Sequence, residues 1–104
     1  MKCVVLGSAI MIAASVAAAV WAFDRPSIET RVARDPAGAI HYFLADIEAG
    51  AAPEAQAADL YGMGLAHERL NQPDEALNDY LSASMLGFSK AETAISRLRG
   101  ATAI

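Results

Sequence analysis

After residue 35, apolar positions recur with a helical period. Ile40, Phe43, Leu44 and Ile47 stand at i, i+3, i+4 and i+7, the spacing of one apolar helix face. Asp35-Pro36 precedes them: Asp caps free N–H groups, and Pro fits the first helical position. Gly50 follows as a left-handed stop. The pattern therefore predicts a first helix over about Pro36 to Ala49. A second opens at Pro53, with Glu54 complementing the helix dipole. Leu60, Met63, Gly64, His67 and Leu70 make one stripe on it, and Tyr61, Leu65 and Glu68 make another. Two stripes predict neighbours on two sides. Gly62 and Gly64 each cost such a helix about 1 kcal/mol relative to Ala, which points to close helix–helix approach.

Asn71-Gln72-Pro73 breaks the second helix and starts a third. Asp74 and Glu75 lie in its first turn, and Ala76, Leu77, Tyr80, Leu81 and Ala83 form its inner face. Gly87 stops it as Gly50 stops the first. Ser89-Lys90-Ala91-Glu92 reads as a capping box for a fourth helix, with Ile95 and Leu98 as apolar contacts and Gly100 at its close.

The chain before these helices has a different character. Every residue from Cys3 to Phe23 is uncharged, and a helix needs about 20 apolar residues to cross a bilayer. Trp21 and Phe23 stand at the end of the run, where an aromatic belt meets the headgroups. The run exceeds the usual apolar core of a signal peptide, about 7–15 residues, which favours a retained anchor. The alternative is a signal peptide cleaved after Val20-Trp21-Ala22. A Met-Lys start favours export of the domain, although Arg25, Arg31 and Arg34 pull the other way under the positive-inside rule. Asp24 to Asp35 alternates charge without a sustained period and reads as a solvated tether near the membrane surface. The expected organisation is a transmembrane anchor or signal peptide (1–23), a linker (24–35), a helical-repeat domain (36–100) and a frayed tail (101–104).

The first and third helices match at a constant spacing of 37 residues. Ala39 recurs as Ala76, Ile40 as Leu77, Phe43 as Tyr80, Leu44 as Leu81 and Gly50 as Gly87. Leu60 recurs as Leu98, and Gly62 as Gly100, at a spacing of 38. Periods of this size mark stacked helical hairpins, each burying its face on its neighbour. The fold class expected is all-α: an N-terminal transmembrane or signal helix, then about two stacked hairpins.

Met63-Gly64 followed by Ala76, Tyr80 and Ala83 resembles the tetratricopeptide-repeat signature. The set Ala76, Tyr80, Ala83, Ser84, Gly87 and Ala91 is similar to the Sel-one-like branch. His67 stands where such repeats usually carry Tyr, and Ser84 where they carry Ala. The turn at Asn71-Gln72-Pro73 is short for the Sel-one-like branch. The resemblance covers about Gly38 to Gly100 and implies an adaptor or assembly factor. It implies that partners bind on the surface lined by the first helix of each hairpin. Ala58, Tyr61, Leu65, Glu68 and Arg69 would then line the binding face. Read from spacing alone, Tyr61 and Leu65 equally suit packing on the first helix.

Charge and chemistry narrow the function. From Phe23 onward twelve acids face seven bases, a net charge of −5, which argues against a nucleic-acid partner. Hydrophobic residues make up 55% of the chain and mean hydropathy is +0.28, an excess concentrated in the leader. Cys3 is the single cysteine, so no intramolecular disulfide forms. His41 and His67 are the only histidines, and their spacing fits no metal motif. His67 lies on an apolar stripe and reads as a packed, hydrogen-bonded histidine. No serine has a nucleophile context and no phosphate loop is present. An enzyme is not expected, nor is a cofactor or metal. The expected partners are proteins in a membrane complex, with the membrane engaged through residues 3–23. The stack is expected to lack a partner helix at its start, since it opens on what should be the second member of a hairpin. That incompleteness predicts that an open face of the first or fourth helix docks on another protein.

Overall fold

The structure is a computed structural model and describes residues 26–102. The leader expected at residues 1–23 lies outside these. The described part is all-helical: α1 (Ile28–Arg34), α2 (Pro36–Glu48), α3 (Pro53–Arg69), α4 (Pro73–Met85) and α5 (Ser89–Thr102). Among the described residues no helix is long and apolar enough to cross a membrane. Consecutive helices from α2 to α5 pack on one another, and α1 packs on both α2 and α3.

Helix α1 corrects the reading of residues 24–35 as a tether without a helix. Ser27 caps it, its Oγ accepting the Thr30 N–H at 3.1 Å. Ile28 and Val32, one turn apart, face the core, and Val32 is buried. The charges at Glu29, Arg31 and Arg34 interrupt this pair, and a helix of 7 residues is too short to display a period. The correction changes the architecture as well. The stack expected to begin on an unpaired helix begins on a pair, α1 with α2.

Helices α2 and α4 each contain 13 residues and open on Pro at the same place. Their ends match too. Gly50 adopts φ +92° and Gly87 φ +90°. The Gly50 N–H donates to the Ile47 carbonyl and the next N–H, of Ala51, to Asp46. Likewise Gly87 donates to Ser84 and Phe88 to Ala83. These paired bonds cap the last carbonyls of each helix. Helix α3 ends by the same device on a non-glycine residue. Asn71, at φ +60°, donates to Glu68, and Gln72 donates to His67. Asn tolerates this region better than most residues.

Two further expectations shift. Ser89, expected to cap the last helix, is its first residue, because the Ala91 N–H already bonds the Phe88 carbonyl. Gly100, expected to close that helix, lies inside it, since the helix runs to Thr102. The match of Gly62 with Gly100 is therefore not one of environment. Gly62 is buried against Phe43 and Ile28, whereas a side chain at Gly100 would meet open space. Leu44 and Leu81, assigned to inner faces, stand about two-fifths exposed at 40% and 37%. Each follows the aromatic that does enter the core.

The core consists of two clusters joined along α3. One holds Val32, Ala39, Phe43 and Ala66, and the other Ala76, Tyr80, Ala83, Ala91, Ala94 and Ile95. Leu65 packs against both. Each aromatic rests on a glycine of α3. A Cβ placed on Gly62 would lie 2.5 Å from Cε2 of Phe43, and one on Gly64 would overlap three ring carbons of Tyr80. The close approach predicted from these glycines is thus present, one neighbour on each side.

We expect Gly64→Ala to lower stability by about 1–3 kcal/mol, because overpacking the fully buried Tyr80 outweighs the helix propensity gained. Gly100→Ala, facing open space, should raise it by up to about 1 kcal/mol. Urea unfolding of both variants checks this pair. Equal effects would mean that Tyr80 does not rest on Gly64.

Candidate functional site

The five residues expected on a binding face all lie on α3, but their surroundings differ. Tyr61 stacks on Phe88 with centroids 5.0 Å apart and planes 12° apart, and meets the Tyr80 ring at 5.8 Å. Leu65 bridges the two core clusters. Ala58 is half-buried and Arg69 is exposed. Glu68 is tied into a polar bridge that spacing alone did not reveal.

That bridge joins α3, α4 and α5. Tyr80, wholly buried, donates its hydroxyl to Glu68 Oε1 at 2.5 Å. Arg97 of α5 grips both oxygens of the same carboxylate, at 2.8 and 2.5 Å. A bidentate guanidinium is the strongest common partner for a carboxylate. The Arg97 hydrogen bond is the main force holding the Glu68 carboxyl below its ordinary range, against its partial burial. Burial first, then the bond to Glu68, raises the Tyr80 phenol so that it stays a donor. Beside this bridge, His67 Nδ1 and Asp79 Oδ2 share a hydrogen bond of 2.5 Å between α3 and α4. Burial raises the Asp79 carboxyl and His67 opposes that rise. His67 is therefore a hydrogen-bonded packing residue, as its stripe predicted, while His41 is exposed. Among the described residues no three His, Cys, Asp or Glu side chains gather as metal ligands. On the outer side, Lys90 of α5 lies 3.9 Å from Glu29 of α1, an exposed pair of small energetic weight.

A second constellation lies on the opposite flank of α3, where α1, α2 and α3 meet. A cleft of about 220 Å³ has apolar walls from Pro26, Ile28 and Phe43. Arg31, Tyr42, Asp46 and Asp59 supply its polar lining. The Arg31 guanidinium lies 3.6 Å over the Tyr42 ring, a cation–π contact. Asp59 is 7% exposed, and its Oδ2 is buried without an N–H or basic partner. Burial is the larger cause, and a hydrogen bond and like charge from Asp46 add to it, in pushing the Asp59 carboxyl up to about 7. Sequence reasoning passed over this pair. The signal was there: Asp59, Gly62 and Ala66 follow i, i+3, i+7, which places an acid on a stripe of small residues that a neighbour must cover.

No protein-family model, curated protein or solved structure matches the chain.

Two predictions follow from this geometry. Tyr61→Ala and Leu65→Ala should each lower stability by about 2–4 kcal/mol, the usual range for losing a large packed side chain, whereas Arg69→Ala should stay within about 0.5 kcal/mol. Thermal unfolding followed by helical circular dichroism separates them, and an unchanged midpoint for Tyr61→Ala would make its ring a surface group. The second concerns pH. Asp59 ionises near 3.8 when unfolded and near 7 when folded. Between those values the folded chain keeps a proton that the unfolded chain releases, so its contribution to stability falls as pH rises and levels off above 7. The loss is on the order of 2–4 kcal/mol at about 1.4 kcal/mol per unit. Glu68 has the opposite sign, its contribution vanishing as pH falls through its depressed value. The difference between the parent chain and Asp59→Asn isolates Asp59. Urea midpoints from pH 4.5 to 8 should approach one another in acid, separate in favour of the variant as pH rises toward 7, and keep that separation above 7. Parallel curves would refute this assignment.

Proposed function

We propose that the chain is a membrane-anchored helical-repeat module for protein–protein interaction. It acts as an assembly factor or small accessory subunit of a membrane protein complex. The observation that carries this reading is the duplicated unit. Helices α2 and α4 have equal length, the same proline start and the same left-handed stop, and each seats an aromatic on α3. Stacked helical hairpins of this kind serve as scaffolds whose extended surfaces bind partners. Tetratricopeptide-like and Sel-one-like repeats provide the analogy, and the face would include Ala58, Arg69 and the exposed edges of Tyr61 and Glu68.

Two further features support docking. Leu81, Met85 and Leu86 stand exposed at the end of α4, with Met85 at 87%. Isolated exposed apolar residues are ordinary, but three within six positions at one helix end suit a contact. The uncharged run from Cys3 to Phe23 supplies the anchor in this reading and confines the acidic domain to a membrane surface, on the extracytoplasmic side. No step of chemistry is assigned, since the polar groups brought together by α3 to α5 bond one another. The specific observation favouring a second reading is Val20-Trp21-Ala22 at the end of that run. Cleavage there would release a soluble periplasmic or secreted module that binds a peptide or regulatory partner.

Native mass measured in mild detergent, on protein taken from its own membranes, tests the proposal. A large assembly containing the intact chain is the expected result. A free species lacking the residues before Phe23 would overturn the anchored reading in favour of the cleaved one.

A further inference from the structure

We propose that the cleft between α1, α2 and α3 receives one basic side chain, an arginine guanidinium or a lysine ammonium, presented by a partner protein, with Asp46 and Asp59 as its counter-ions. The proposal rests on the interaction-module reading for the source of the side chain, and names the chemistry of the contact.

Three observations converge. First, Asp59 is 7% exposed, its Oδ2 is buried without an N–H or basic partner, and its one side-chain partner is another acid, Asp46. A buried acceptor left unmade is costly, and this one lines a cleft rather than a closed core. Second, a like-charged carboxylate sits beside it. Asp46, exposed on α2, is close enough to bond Asp59 and to repel its charge. Two carboxylates in one place favour a shared cation, as they otherwise favour a shared proton. Third, the remaining lining suits the stem of a basic side chain. Ile28, Phe43 and Pro26 offer apolar surface to methylenes while the charged head reaches the acids. The cleft of about 220 Å³ accommodates such a head and part of its stem.

The charged groups facing Asp59 from the neighbouring helices are Arg31 of α1 and Asp46 of α2. Arg31 does not serve as the counter-ion. Its guanidinium stacks on Tyr42, and among the described residues no ion pair joins it to either acid. It opposes the incoming cation, so both carboxylates are needed to outweigh it. Entry of the cation ionises Asp59, and the proton passes to solvent. Binding is then coupled to proton release, a signature that an ordinary surface ion pair lacks.

The test uses the whole chain in detergent micelles, with N-acetyl-arginine N-methylamide and its lysine counterpart as probes and the neutral citrulline analogue as control. The expected result is saturable movement of backbone amide resonances around Asp46 and Asp59 with at least one cationic probe and none with citrulline. Affinity should fall at least tenfold in both Asp46→Asn and Asp59→Asn. Asp46 is exposed, so its variant keeps the fold whatever Asp59 does. Calorimetry at pH 6.5 in buffers of different ionisation heat should show proton uptake by the buffer, absent in Asp59→Asn. Equal response to citrulline, no response to either cation, or an Asp46→Asn variant that binds like the parent would overturn the proposal. These outcomes need no natural partner. Failure here leaves the native-mass result standing, and failure there leaves this one.

Discussion

Phe43 and Tyr80 each occupy a volume on α3 that only glycine leaves open, and the rest of the domain is arranged by that constraint. Gly62 admits the first ring and Gly64 the second. Two glycines in one helix weaken it by about 2 kcal/mol relative to alanine, so α3 does not persist on propensity. It persists because it is gripped from both sides. The rings draw α2 and α4 close enough that small residues complete the contact: Ala39 and Ala66 on one side, Ala76 and Ala83 on the other. A small domain with few large side chains gains density this way, where larger residues would hold the backbones apart.

The two sides differ in how they treat polar groups. Tyr80 carries a hydroxyl into the interior, and the chain provides Glu68 to accept it and Arg97 to hold Glu68. Phe43, its counterpart in the first unit, needs no acceptor. The polar bridge therefore belongs to the second unit alone and ties α5 to α3 beside the apolar cluster that they share. On the first side the buried polar group among the described residues is Asp59, whose Oδ2 has no N–H or basic partner and whose one side-chain partner is another acid, Asp46. One unit closes its polar account internally while the other leaves an acid facing a cleft.

Much of the fold was legible along the chain. Prolines at 36, 53 and 73 mark three helix starts, and Gly50 and Gly87 mark two ends, because φ restrictions act locally and need no partner. The stop at Asn71 was visible only as a break, since Asn enters the left-handed region by choice of context. Helix α1 was missed because its contribution is two residues, Ile28 and Val32, whose meaning depends on α3 lying beneath them. Gly100 misled for the converse reason: a glycine near a helix end resembles a stop, but a stop requires positive φ. The binding face drawn from resemblance placed Tyr61, Leu65 and Glu68 on one surface. Packing turns Tyr61 onto Phe88, Leu65 into both clusters and Glu68 onto Tyr80 and Arg97, because the second stripe of α3 is where α4 and α5 meet it.

The placement of the unfinished acid bears on how such a module could discriminate among partners. An acidic surface attracts any basic protein, weakly and with strong dependence on salt. Glu68, already neutralised by Arg97, adds little to that field. Asp59 behaves differently, because below about pH 7 its charge develops as a cation displaces its proton inside a partly apolar cleft. Such a contact is screened less than an exposed pair, whereas an apolar group presented there would leave the oxygen unsatisfied and an acidic one would meet like charge. Long-range attraction and local selection are thus assigned to different residues: the exposed acids set the approach, and the pair at Asp46 and Asp59 sets which side chain can stay.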